Sequence, residues 1–324
     1  MNKLKKAGNY LFHKQFLWCI LLILFVIFAC SSEYFLQSKN LSNILLQNAY
    51  IAVVSMGIMF LLITGAMDLA LGYEIALVGV VGAILMVNCH IPGVLAVMIS
   101  IALGIFLQLI NTFLAQVIKV APLLITLGTM TIYQGIAFTI SNADVYNGLA
   151  DSYVALGRGS VIGINVSLII AVIVMVLSAL ILNKTYMGKH ILAIGGNEQA
   201  AKLSGINVTK TKYFVAIITG ICVGVGSVLM FARLGSAHAS YGPGTEFTAI
   251  TACCLGGVSI TGGKGTVLGT LAGVLVLGLI SNGMQLAGLG AYTQYIIKGA
   301  ILLASFALYM FQKKQQDKAK LANR

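Results

Sequence analysis

Charge is scarce in this chain, and acid scarcer still. Of 324 residues only 9% are Asp, Glu, Lys or Arg, just eight are acidic, and there are three prolines. A soluble domain carries about a quarter charged residues, so this composition, with a mean hydropathy of +0.98, excludes one. Catalytic signatures are missing too. HExxH, GxSxG and an aspartate pair on one helix face do not occur, and His13, His90, His190 and His238 are scattered, so no catalytic site is expected. The six cysteines (Cys19, Cys30, Cys89, Cys222, Cys253, Cys254) form no CxxC and lie in or beside apolar runs, which reads as free, packed thiols; no metal or other cofactor is expected. "GGVSITGGKGT" misses the phosphate-binding loop, because five residues separate Gly257 from Gly263 and Gly265 stands where a magnesium-binding Ser or Thr belongs. It reads as a tight turn between helices, and nucleotide energy would have to enter through another chain.

What is present is apolar length. Spans are expected near 16–31, 44–64, 68–88, 93–118, 120–140, 165–183, 213–232, 247–261, 266–285 and 292–311, each near the roughly 20 residues that cross about 30 Å of hydrocarbon. The run 247–261 is short, which suits a re-entrant or a tilted, partly buried helix. The start, "MNKLKKAGNYLFHKQFLWCILLILFVIFAC", has a basic front and an apolar core but no small-x-small cleavage site, and reads as an uncleaved first helix. Phe28 is too bulky for a lipoprotein box at Ile27–Cys30.

The basic residues assign sides. With ten alternating spans and the N-terminus inside, Lys3, Lys5, Lys6, Lys14, Lys119, Lys184, Lys189, Lys202, Lys210, Lys212, Lys264, Lys313, Lys314, Lys318, Lys320 and Arg324 all face the cytoplasm. Only Lys39, Arg158 and Arg233 fall outside, and Lys298 lies within a span. The expected fold is therefore an all-α polytopic membrane protein of about ten transmembrane helices with both termini cytoplasmic. It is a single transmembrane domain over 1–324, with a cytoplasmic loop at 184–212. Two longer external segments, 141–164 and 234–246, read either as connectors or as surfaces for an external partner. Ile63-Thr64-Gly65 with Leu71-Gly72 recurs as Ile260-Thr261-Gly262 with Leu268-Gly269, an echo short enough to arise by chance.

Polar residues at membrane depth are costly and so informative. Asp68 follows a glycine-bearing break and can cap the third helix. Glu74 must face the bundle interior or a wet cavity, and Lys298 is its chemically sensible partner. Gln108, Asn111, Gln134, Asn282 and Gln285 suit a path for an uncharged polyhydroxy solute, and equally suit helix-to-helix hydrogen bonds. Asn282 and Gln285 lie three residues apart, on one helix face. The expected pathway residues are Asp68, Glu74, Asn111, Gln134, Asn282 and Gln285. In the last third, Gly269, Gly273 and Gly278 suit close helix approach in lipid.

The most polar stretch is "AIGGNEQAAKLSGINVTKTK", Ala193–Lys212. Glu198 to Leu203 reads as a short helix, acid first and Lys202 last, punctuated by Gly195-Gly196 and Gly205. Its alanines and single leucine lack the bulk of a lipid anchor and favour protein docking.

"GGNEQAAKLSGI" resembles the cytoplasmic motif of the ribose-type permeases of bacterial ABC sugar importers. "ITGAMDLALG", "TLGTMTIYQGIA" (126–137) and "ITACCLGGVSITGGKGTVLGTLAGVLVLGLISNGMQL" (250–286) are similar to that family's landmarks in order, from about residue 35 to 311. The resemblance implies a multi-pass subunit of the bacterial cytoplasmic (inner) membrane that translocates a monosaccharide or small polyol by alternating access. Its partners would be a cytoplasmic ATPase, an extracellular or periplasmic sugar-binding protein and a second permease copy, identical or related. It implies that Gly195–Ile206 couples to the ATPase, with Gly195, Gly196, Asn197, Glu198, Ala200, Ala201, Leu203, Ser204 and Gly205 carrying the contact. Asp68 matches the family's aspartate, whereas Ala66 and Ala70 replace its usual glycine and serine, and Glu74 stands where it is generally apolar. The rival reading is an ion-coupled secondary transporter using Asp68, Glu74 and Lys298. A membrane-embedded enzyme is disfavoured by the missing catalytic cluster.

Overall fold

The computed structural model describes residues 2–321, with side-chain environments from residue 17 onward except at 291, 308, 309 and 312–321. The side chains of the basic residues near both ends (Lys3, Lys5, Lys6, Lys14, Lys313, Lys314, Lys318, Lys320, Arg324) lie outside that range. Helices dominate because, without water, a backbone in lipid must satisfy its own hydrogen bonds. In chain order they begin α1 (Asn2–Ser31), α2 (Ser38–Ile63), α3 (Leu71–Val87), α4 (Gly93–Ile118) and α5 (Pro122–Ser141). There follow β1 (Tyr146–Asn147), α6 (Asp151–Arg158), β2 (Ser160–Val161), β3 (Ile164–Asn165), α7 (Val166–Lys184), α8 (Tyr186–Gly196), α9 (Glu198–Leu203) and α10 (Val208–Leu234). Last come β4 (Ser236–Ala237), α11 (Thr245–Leu255), α12 (Val267–Leu286) and α13 (Ala291–Leu321).

Among the described residues, six helices are long and apolar enough to cross a membrane: α2, α4, α5, α7, α10 and α12. Three shorter apolar stretches accompany them, Leu17–Ser31 of α1, α3 and α11. The run expected as a helix over 247–261 is helical only to Leu255. At about 1.5 Å per residue α11 is roughly 16 Å long, half of what a span needs. It is a buried half-helix, with Ala249, Ile250, Ala252, Cys253 and Cys254 all inside. The third run likewise starts late: residues 64–70 are non-helical and α3 begins at Leu71, not at Asp68.

Glycine explains both stops. α2 ends at Thr64, and Gly65 (φ +81°) then turns back so that Ala66 N–H donates to the Leu61 carbonyl and Gly65 N–H to that of Leu62. α11 ends the same way through Gly256 and Gly257 (φ +81°), with Val258 N–H on Cys253 and Gly257 N–H on Cys254. A left-handed residue carries no penalty when it lacks Cβ, and the paired bonds satisfy the orphan carbonyls. The Ile-Thr-Gly echo therefore has no structural counterpart: at 63–65 it closes α2, whereas 260–262 lies in a turn beyond the end of α11. The two turns instead meet, Gly263 N–H donating to the Ile63 carbonyl at 2.8 Å.

α10 and α4 form the central seam, where glycines let backbones touch. A Cβ on Gly104 would strike the backbone of Gly220 and Gly224, and one on Gly224 the backbone of Ser100 and Ile101. Such approach recovers dispersion where lipid leaves no hydrophobic drive. The free cysteines Cys222, Cys253 and Cys254 are packed inside, but Cys19, Cys30 and Cys89 are exposed. The segments 141–164 and 234–246 are tied together: β1 pairs with β4 antiparallel, and Arg158 donates to the Arg233 and Leu234 carbonyls, capping α10. Gly220→Ala, whose Cβ would meet the Ile105 backbone and the Gly104 carbonyl, should destabilise the protein by about 1–3 kcal/mol through overpacking. The check is the Tm of detergent-purified protein, and an unchanged Tm would contradict so close a seam.

Candidate functional site

The break before α3 places Asp68 and Glu74 inside the bundle, at 4% and 0% exposure. Asp68 Oδ1 accepts from the Ala70 N–H (2.7 Å), a short turn that leads into α3 rather than a cap on it, since the residue that caps α3, Ala70, has no side-chain bond. Asp68 Oδ2 and Glu74 Oε2 both accept from Gln108 Nε2, at 2.6 and 2.9 Å. Glu74 Oε1 accepts from Asn111 Nδ2 at 2.7 Å, and Asn111 Oδ1 in turn accepts from the Tyr133 hydroxyl at 2.8 Å. One amide thus spends its two hydrogens on two acids, and a second amide and a phenol complete the chain. Buried polar groups are tolerable only when satisfied in this way.

Each acid also lies at a helix start. Glu74 is in the first turn of α3, and a third buried acid, Glu246, is in the first turn of α11 with both carboxylate oxygens near the Gly244 N–H (3.0 and 2.9 Å). The two starts touch: a Cβ on Gly72 would fall on the Glu246 carboxylate and the Gly242 carbonyl. Negative charge is stabilised at helix N-termini, and here two of them converge on three acids. The group sits near mid-length of α10, because Ser227 Oγ bonds the Ile75 carbonyl (2.8 Å) while Gly104, one turn from Gln108, packs on Gly220. α10 is roughly 40 Å long at 27 residues.

A cleft of about 740 Å³ runs from this group to the end of the bundle that carries α8 and α9. Asp68, Gln108, Asn111 and Thr126 line its floor, and Lys119, Glu198, Lys202 and Lys212 its mouth. Lys212 Nζ holds the Glu198 carboxylate at 2.9 and 3.0 Å. The polar stretch at 193–212 holds the last turn of α8, all of α9 and the start of α10. Gly195 and Gly196 precede α9 as expected, but as the last turn of another helix, α8, and α9 runs Glu198–Leu203 with the expected bounds. Capping accounts for much of the polarity: Thr185, Asn197 and Asn207 accept from the N–H groups of Gly188, Ala200 and Lys210 to start α8, α9 and α10. Gly196, Asn197, Glu198, Ala200, Leu203, Ser204 and Gly205 are exposed, Leu203 at 89%, whereas Ala201 is buried and Gly195 half-buried.

The other expected residues are dispersed. Glu74 is not paired with Lys298, which is half-buried on α13 and forms no ion pair among the described residues; the two amides of α4 take that place. Asn282 and Gln285 do not act together. Asn282 exchanges two hydrogen bonds with Asn40 (3.1 and 2.8 Å), fastening α12 to the start of α2, and Gln285 is exposed. Gln134 is half-buried, beside Tyr133 in sequence but outside its hydrogen bonds. Gln108 and Tyr133 complete the network without standing among the expected pathway residues. Gln108 could have been paired with Asn111 by their three-residue spacing, and Tyr133 lies one and two turns from Thr129 and Thr126 on a buried face of α5.

Residues 40–306 match the family described as "Branched-chain amino acid transport system / permease component". This chain belongs to that family. It is 36% identical to the ribose import permease protein of Bacillus subtilis (strain 168) over 290 residues, covering 89% of this chain and 90% of the relative. It is also 36% identical to the galactose/methyl galactoside import permease protein of Escherichia coli (strain K12) over 329 residues (95% of each), and to the D-allose transport system permease protein of the same strain over 290 residues (89% of each). No solved structure matches it. The permease has apolar helices enough for a multi-pass membrane protein, as the motifs at 63–72, 126–137, 195–206 and 250–286 indicated.

The shared amide gives a direct test. Gln108→Leu and Glu74→Leu should each lower stability, but the double variant should cost less than their sum by about 1 kcal/mol or more, because each single change leaves a partner unsatisfied. Tm values for the four proteins close the cycle, and additive costs would show that the two groups do not interact.

Proposed function

We propose that the chain is the membrane permease of an ATP-binding-cassette importer that carries a monosaccharide or similar small polyol across the bacterial cytoplasmic membrane. Correspondence over 89–95% of this chain with sugar import permeases carries this reading. The site's chemistry agrees with it. The floor of the cleft offers amide, hydroxyl and carboxylate groups, the donors and acceptors that a polyhydroxy solute needs, and no fixed cation among the floor residues Asp68, Gln108, Asn111 and Thr126. Helices that break or start near mid-bundle are how transport proteins build polar sites at membrane depth.

The chain hydrolyses nothing in this scheme. ATP closes two ATPase subunits beneath a pair of permeases, a separate binding protein delivers the solute at the β1–β4 end, and the α8–α9 end faces the cytoplasm with both termini. About ten membrane-associated helical segments alternate across the bilayer, α11 as a half-length member and α3 starting late. Gly196 to Gly205 offer the ATPase an exposed, side-chain-poor surface with Leu203 as its apolar contact. Asp68, Glu74, Asn111 and Gln108 form the pathway's centre.

In vesicles reconstituted with the ATPase and binding protein, uptake of a monosaccharide should require ATP and survive a protonophore. Transport that persists without ATP and collapses with the protonophore would replace this reading by ion coupling. Glu198→Lys, which sets like charges against Lys212 on the docking surface, should reduce ATPase copurification by about fivefold or more at unchanged membrane levels. Copurification at the unaltered level would count against docking through α9.

A further inference from the structure

Gly195 and Gly196 are adjacent in sequence but differ in surroundings. A Cβ on Gly196 would meet nothing within 4 Å, whereas one on Gly195 would fall on the Ile63 carbonyl oxygen and the Gly263 amide nitrogen. The contact is reciprocal, since a Cβ on Gly262 would strike the Gly195 carbonyl and Cα, and one on Gly263 the backbone of Gly196. The Gly263 N–H donates to the same Ile63 carbonyl at 2.8 Å. Three chain segments therefore meet backbone to backbone: the end of α8, the end of α2, and the turn between α11 and α12.

Both routes away from this meeting point lead to the same place. Along the chain from Ile63, residues 64–70 carry Asp68 and end at Leu71, the start of α3. In the other direction, the turn at 256–263 follows α11, whose first turn holds Glu246 against Gly72, again at the start of α3. The meeting point and the buried acids are thus the two ends of a closed ring. A contact between backbones has no rotamers with which to absorb a displacement, so motion of α8 must pass to both arms.

We propose that Gly195 is a positioning residue, the joint through which movement of α8–α9 is passed at once to the Asp68 arm and to α11, changing the junction of Gly72 with Glu246. This rests on the reading of the chain as an ATPase-driven permease and goes beyond it by separating two neighbouring glycines: Gly196 belongs to the docking face, Gly195 to the transmission behind it.

The test uses the assembled importer. Gly195→Ala should keep membrane level and ATPase copurification while ATP-driven uptake falls about tenfold or more, within the 5–150-fold range of ordinary coupling between sites. Gly299→Ala, on α13 with nothing within 4 Å of the added Cβ, should stay within about twofold in uptake. Uptake by Gly195→Ala within twofold of the unaltered protein, or loss of copurification along with uptake, would overturn the proposal. If Gly195→Ala does not accumulate, amide hydrogen exchange in the unaltered complex decides. ATP binding should change protection at 260–265 and at 63–70 together, and a change confined to α8–α9 would overturn the proposal. Absence of ATPase from every preparation, the unaltered one included, would instead refute the importer reading itself.

Discussion

The side-chain amide of Gln108, donating to Asp68 and Glu74 at once, is the contact on which the arrangement of this bundle depends. Two carboxylates inside a structure made for lipid are affordable only because four elements converge to satisfy them. The break after α2 brings Asp68, α3 brings Glu74, α4 brings both amides, and α5 brings Tyr133, whose hydroxyl donates to Asn111, and Thr126, whose hydroxyl accepts from the Leu69 N–H. Close approach of these elements follows from glycine along α4 and α10, and the breaks follow from Gly65 and Gly257. The cleft opens beside the break after α2, lined by Thr64, Ala66, Met67 and Asp68.

Helices that start inside the bundle give the chain its electrostatic logic. An unbroken span would place its N-terminal dipole at the membrane surface, whereas α3 and α11 start inside the bundle, where Gly72 lies against the Glu246 carboxylate. Glu74 and Glu246 occupy the first turns of these helices. The acids therefore need no lysine, and Lys298 is left as a half-buried cation on α13. Amide and backbone N–H donors, not an ion pair, satisfy these acids.

Much of this was legible in the sequence, and the limits are instructive. Apolar length gave every long helix, because burial in lipid enforces it residue by residue. The bounds of α9 were visible from its acid-first, lysine-last order. The start of α3 and the end of α11 were not: "CCLGGVSIT" remains apolar across the Schellman turn where α11 stops, and nothing in "MDLA" marks that α3 begins at Leu71 and not at Asp68. Side-chain partners were least legible. Glu74 and Lys298 are opposite charges at membrane depth, but pairing depends on which helix faces which, information that spacing within one helix cannot hold. The Gln108–Asn111 pair did carry a signal, three-residue spacing on one face, and so did the Thr126–Tyr133 stripe. Asn282 and Gln285 show that such spacing alone misleads when one residue turns inward to Asn40 and the other outward.

The most direct measurement is electron cryomicroscopy of the complete complex, with and without ATP. The account predicts α9 seated against the ATPase, with Gly195, Ile63 and Gly263 keeping contact and shifting as a unit between states while the Asp68–Gln108–Glu74 group changes its exposure to the cleft. An ATPase bound elsewhere, with α9 solvent-exposed in both states, would contradict it.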